Sequence, residues 1–232
     1  MIFNENRDEK YIVLDIETAN LSMKDEGLQF DNPKDWKTAC VCIYDSHKDQ
    51  DWYFVNHADL DAVRGSISLD IDIHPFSILE NKLNEWFNEG YLLMTHNGYG
   101  FDNPILSKSI DDGGAGCASI LKRFDDSRQI DMSLTLKQIT GERYRLQHLV
   151  HGLLGNSISK LMDAAFAPVE WDNGNYDEVL KYCISDCHLT LNTYLTAERV
   201  GAFHAESPHK TYPVVEFIDF ERERLQSDTI IN

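Results

Sequence analysis

The sequence predicts an α/β domain, and three observations carry that prediction. An unbroken apolar run, Tyr11-Ile-Val-Leu14, has the composition of a strand buried on both faces. Two further strand-like runs, Thr38 to Tyr44 and Asp51 to Val55, are separated by a polar turn from Asp45 to Gln50, the layout of a hairpin beside the first strand. Beyond them, stretches with apolar residues at three- and four-residue intervals, the stripe of amphipathic helices, alternate with short apolar runs. The 232 residues are 42% apolar, enough for one substantial core.

The first strand runs out through Asp15-Ile-Glu17-Thr18 into a polar loop from Asn20 to Lys37. Spacing of i, i+2 in a strand puts both carboxylates on one face. Such a pair repels itself, and a divalent cation between the two is the usual reason to tolerate it; a solvated strand end carrying two surface acids is the equal alternative. His57 to Pro75 is acidic and mixed, a loop with room for one short helix. Phe76, Leu79, Leu83, Trp86 and Phe87 mark an amphipathic helix ended by Gly90. The strand Tyr91 to Thr95 then delivers the chain to His96-Asn-Gly-Tyr-Gly-Phe-Asp102. Asp102-Asn-Pro104 starts a helix, with proline where a missing N–H costs little. Asp111 to Gly116 is a breaker and the expected mobile loop. Arg128 to Ser133 reads as a short strand entering a helix from Leu134 to Thr140. Another helix follows over Leu146 to Leu154, stopped by Gly155, and a long one over Tyr176 to Val200. The main domain is expected over residues 1–206. Residues 207–232 are expected to form a tail with an edge strand at Tyr212 to Ile218, available as a docking element.

No apolar run is long enough to span a bilayer, and the first residues lack the basic-then-apolar layout of a secretory signal, so a cytoplasmic protein without membrane contact is expected. The five cysteines, at 40, 42, 117, 183 and 187, include no CxxC and are odd in number, which predicts buried free thiols. A net charge of −18 sits awkwardly with a nucleic-acid partner. A saline environment, a local basic strip or a partner that supplies the grip would each account for it. Lys122, Arg123, Arg128, Lys137, Arg143 and Arg145 are the candidate strip, with a solvated surface the equal alternative.

Asp15 with Glu17, Asp102 and Asp186 are thus three acidic sites at distinct places in this layout. Tyr182 stands four residues before Asp186, so both side chains leave one helix face toward one point. In order, Asp15-Ile-Glu17-Thr18, His96-Asn97-Gly98-Tyr99-Gly100-Phe101-Asp102 and Tyr182-Cys-Ile-Ser-Asp186 resemble the three motifs of the DEDD (DnaQ-like) superfamily of 3′-to-5′ exonucleases. The subgroup is the one with tyrosine in the last motif, since Lys181 stands where the other would carry histidine. The resemblance runs from about Tyr11 to Leu195.

That resemblance implies a ribonuclease H-like fold, a mixed sheet with helices on both faces. It implies that Asp15, Glu17, Asp102 and Asp186 hold two Mg²⁺ or Mn²⁺ ions, with Asp15 bridging, and that Tyr182 positions the attacking water. Oxygen ligands suit those ions, and the lack of a Cys/His cluster argues against zinc. Thr18 is expected to bond the terminal nucleotide and Asn97 to lie near the substrate backbone, while Phe101 either stacks on a base or anchors its loop in the core. The implied activity is metal-dependent release of nucleoside 5′-monophosphates from single-stranded 3′ ends, DNA in preference to RNA. Two other readings stay open: a non-catalytic module that binds nucleic acid or protein, and a proofreading or processing subunit that works with a polymerase or helicase. His96 and His188 read as hydrogen-bonded neighbours rather than ligands, and Asp131 as the cap of the helix near Ser133.

Overall fold

Strand β1 (Tyr11–Thr18) lies inside a six-stranded sheet. The sheet also contains β2 (Thr38–Asp45), β3 (Gln50–Val55), β4 (Ile73–Pro75), β5 (Leu92–Thr95) and β6 (Gln129–Asp131), in the order β4-β3-β2-β1-β5-β6. β1, β2 and β3 form an antiparallel meander, and β5 and β6 continue the sheet parallel to β1. The computed structural model on which this rests describes residues 9–22, 24–29, 32–125 and 127–230.

Period-two alternation splits β1 between two cores. Tyr11 and Val13 face one; Ile12, Leu14 and Ile16 face the other. The first is covered by α1 (His57–Ser66), α5 (Met132–Thr140), α6 (Leu146–Leu154), α7 (Ala167–Asp172), α8 (Tyr176–Val200) and α9 (Phe217–Ile230). The second lies under α2 (Leu79–Asn88), α3 (Asp102–Leu106) and α4 (Ala118–Asp125). A mixed sheet with helices on both faces is the ribonuclease H-like α/β arrangement. Nearly continuous burial of β1, rather than alternation, follows from having both faces covered.

Three segments differ from expectation. The Gly-rich stretch 111–116 is packed rather than loose: Thr38 N–H donates to Gly113 O at 2.8 Å, and a Cβ on Gly114 would come within 2.3 Å of the Lys108 carbonyl oxygen. The strand expected at Tyr212 to Ile218 contracts to β8 (Val215–Glu216), which pairs with β7 (Ala202–Phe203) before the chain turns into α9. Within residues 207–226, Tyr212, Val215 and Phe220 are buried in the first cluster and Tyr144 OH donates to Pro213 O at 2.7 Å. All five cysteines are free and buried. Among the described residues, no helix is long and apolar enough to cross a membrane.

Candidate active site

Three chain segments bring their acids to one place at the end of β1. Asp15 and Glu17 leave the same face of β1, toward α8, beside a shift in the β1–β2 ladder between Glu17 and Thr18. β5 stays in register with β1 only as far as Met94, opposite Val13. Beyond that point the start of α3 comes up beside β1, near enough for the Ile16 backbone to lower the Asp102 carboxyl slightly. α8 crosses the same face and presents Tyr182 and Asp186 one turn apart, both almost fully buried.

The burial has an electrostatic consequence. Asp15 is raised well above the ordinary carboxylate range by burial, then by the charges of Asp186 and Asp102. Glu17 is raised by burial and then by Asp15. Burial, and next the Asp131 charge, push Asp102 up to about 7. Asp186 is raised by burial, with Lys160 offsetting part of it. Burial, then Asp186, Glu17 and Asp15, push the Tyr182 phenol up, so it stays a hydrogen-bond donor. Acids from all three motif segments therefore sense one another.

One cation enters this pocket. Lys160, from the connector between α6 and α7, forms an ion pair with Asp186 Oδ2 and donates to Tyr182 OH at 2.8 Å. Burial alone would lower its pKa, but Asp186 and Asp15 hold it above the ordinary value. Lys160 is not enough to serve every acid: Asp186 Oδ1 is buried with no hydrogen-bond partner among the described residues. Ligand atoms of Asp15, Glu17 and Cys183 lie within 4.8 Å of one another, close enough to share a cation, whereas Asp102 and Asp186 stand outside that tight group.

The loop His96 to Asp102 is shaped by a residue outside the three motifs. Asp131 accepts from Asn97 N–H at 2.9 Å, from Tyr99 N–H at 3.0 Å and, as N-cap of α5, from Leu134 N–H at 3.0 Å. Asn97 takes the left-handed conformation at φ 80°, and a Cβ on Gly98 would sit 2.5 Å from Thr95 Oγ1. The Asn-Gly pair is thus required by the turn itself.

Thr18 is buried at the end of β1, paired in register with Thr38. Phe101 is half-buried, edge-on to Trp36 with ring centroids 5.1 Å apart. Neither histidine joins the acids. His96 bonds the Tyr144 carbonyl at 2.9 Å and is pushed down to about 4 by burial, while His188 pairs with Asp51 at 2.9 Å. A cleft of about 220 Å³ opens beside Ala19, next to Thr18, lined also by Pro168, Trp171 and Tyr176.

No protein-family model and no curated protein matches the sequence. Its likeness is one of shape. The chain is similar to the family B DNA polymerase from the hyperthermophilic archaeon Pyrobaculum calidifontis, with a TM-score of 0.50 and 15% identity over 82% of this chain. The chain spans 25% of the length of that polymerase. Likeness at this identity concerns the fold alone.

Lys160 is the residue that motif reading passes over. It lies in a connector without periodicity, so no stripe or spacing marks it. Its one signal is compositional: it is the only Lys or Arg between Arg145 and Lys181, on the segment leading into the last acidic motif.

Proposed function

We propose that the chain is a metal-dependent 3′-to-5′ exonuclease of the DEDD type, tyrosine subgroup. It would act on single-stranded ends, DNA before RNA, and release nucleoside 5′-monophosphates. The observation that carries this reading is the convergence of Asp15, Glu17, Asp102 and Asp186 in one buried pocket where their charges act on one another, with Lys160 bonded to both Asp186 and Tyr182.

The donor set fits a hard divalent cation. It is made of carboxylate oxygens, it is short of positive charge, and one oxygen of Asp186 is left buried and unpartnered. Asp15, Glu17, Asp102 and Asp186 would hold Mg²⁺ or Mn²⁺, two ions in this class of site. When bound, these would supply charge to the phosphoryl oxygens and lower the pKa of water. The chain's own groups do the rest. Tyr182 keeps its proton, so it orients the attacking water by hydrogen bonding rather than serving as its base. Lys160 fixes the phenol and the Asp186 carboxylate together. Thr18 and the backbone around it stand where the terminal nucleotide would meet the end of β1, and Asn97 where its backbone would pass.

DNA as substrate is in keeping with a shape neighbour that is a DNA polymerase, and a proofreading or processing partner is the corresponding assembly. The test is cleavage of 5′-labelled single-stranded DNA and RNA with Mg²⁺, Mn²⁺ or EDTA. The expected result is a metal-dependent ladder shortening from the 3′ end. Asp186→Ala should lower the rate by about 10³-fold or more, and Tyr182→Phe by about 10 to 100-fold. A protein that binds no Mn²⁺ and cleaves nothing would sink the reading in favour of a binding module.

A further inference from the structure

The four arginines of the candidate basic strip divide in two. Arg123 is committed to Asn84 at 2.7 Å and lies over the Phe87 ring; Arg128 donates to the Phe87 carbonyl at 2.5 Å and lies over the same ring. These two brace α4 against α2. Arg143 and Arg145 are different. Both are exposed, and among the described residues neither guanidinium makes a hydrogen bond or ion pair. Glu142, the acid that would neutralise Arg143, is taken up by Lys210.

Their setting is rigid. Tyr144 between them is fully buried, its OH donating to Pro213 O at 2.7 Å and its carbonyl bonded to His96 Nε2 at 2.9 Å. Arg145 has extended backbone, φ −82° and ψ 142°. In an extended segment the residues flanking an inward side chain project together on the outer side, about 6.6 Å apart along the chain. Through His96, this segment is tied to the start of the Asn97 to Asp102 loop. Two residues further on, Gln147 Oε1 accepts from Lys160 N–H at 2.7 Å. Arg143 and Lys160 both bear electrostatically on His96. The two arginines therefore flank the residue that holds His96, at the entry to the loop that leads to Asp102, in a chain whose net charge otherwise repels phosphate.

We propose that Arg143 and Arg145 form a phosphate rail that grips the backbone of the single strand whose 3′ end enters the acid pocket. This rests on the exonuclease reading and adds to it the path of the substrate. Two guanidinium groups held on one side of an extended segment suit successive phosphates and carry no base preference. The grip is local, which is how an acidic protein can hold a polyanion.

The test is fluorescence anisotropy of a 5′-fluorescein oligo(dT) with the full chain in Ca²⁺, from about 50 to 300 mM KCl. Arg143→Gln with Arg145→Gln should raise Kd about tenfold and make the slope of log Kd against log salt shallower by about 1.4, from two lost phosphate contacts on a single strand. KM for oligonucleotide shortening should rise with it. Arg199→Gln, in the last turn of α8, should change neither quantity. A wild-type slope in the double variant overturns the rail while leaving the exonuclease reading intact. So does an equal loss in Arg199→Gln, which would mean diffuse charge. A wild-type protein that neither binds nor shortens any strand overturns both.

Discussion

The two loops that complete the acid pocket are held in opposite ways. His96 to Asp102 is fixed by hydrogen bonds to its backbone: Asp131 takes the N–H groups of Asn97 and Tyr99, and Asn103 is tied to Gln129 at 2.9 Å and Asp125 at 2.8 Å. The connector that carries Lys160 is held near that residue by one side chain, Gln147, which accepts from Lys160 N–H at 2.7 Å and donates to Ile158 O at 3.3 Å. Its charged end is held by the acids themselves. One loop is built to place a carboxylate whatever the pocket contains; the other is placed by the pocket's charge. A ligand that changes the charge should therefore act on the second loop and spare the first.

Breaking the first loop should have the largest effect. Asp131→Ala leaves three N–H groups without their acceptor and removes the N-cap of α5, for a loss of about 2 to 4 kcal/mol in chemical denaturation. Cleavage should fall with it, because the loop that brings Asp102 to the other acids loses its anchor. An Asp131→Ala protein as stable and as active as wild type would mean the loop is fixed by its glycines alone.

Lys160→Met tests the second loop and should cost less, about 1 to 2 kcal/mol without metal, since the side chain is partly exposed and the acids can take up protons instead. Added Mg²⁺ should restore that stability, read by thermal melting, without restoring cleavage, because Tyr182 has lost its donor. Equal losses with and without Mg²⁺ would show that Lys160 acts through packing rather than charge.

The smallest effect sharpens the same contrast through pH. Asp15, Glu17, Asp102 and Asp186 are all raised in the folded protein, Asp102 to about 7, from unfolded values near about 4. Between those limits the folded protein keeps protons that the unfolded chain has lost, so stability falls as pH rises. His96, lowered to about 4, works in the other direction with His74 and His148, also lowered by burial, while Asp131, raised by burial, adds to the four acids. Melting in EDTA should drop by several degrees from pH 5 to pH 7.5, and Mg²⁺ should flatten the curve. A curve that is flat in EDTA would mean the acids are already ionised and served by other partners.

Much of the fold was legible because burial on both faces leaves a plain trace. β1, the β2–β3 hairpin, β5 and the helices α2, α6 and α8 fall where apolar runs and helical stripes put them. The elements that were not legible lack that trace. α9 is charged through Glu221 to Arg224, and its helix is held by Phe217 and Phe220 against Phe203 and Tyr194 rather than by a stripe of its own. The strand expected at Tyr212 to Ile218 has the right composition but finds only Ala202 and Phe203 to pair with. The glycines from 113 to 116 read as slack; Gly114 is there because the Lys108 carbonyl leaves no room for a side chain.

The sequence by itself determined the acids, their spacing and the tyrosine one turn before the last of them, because period two in a strand and 3.6 in a helix are local rules. Only the tertiary structure decided which groups those acids meet. Lys160 is 26 residues from Asp186 in the chain, and Asp131 is 34 from Asn97. Their contacts come from a sheet order and a helix crossing that no local pattern encodes. The same holds for the arginines: all four look alike in the sequence. What separates the pair braced on Phe87 from the pair left facing solvent is where α4 and the α5–α6 turn come to rest, and that is set by packing across the whole domain.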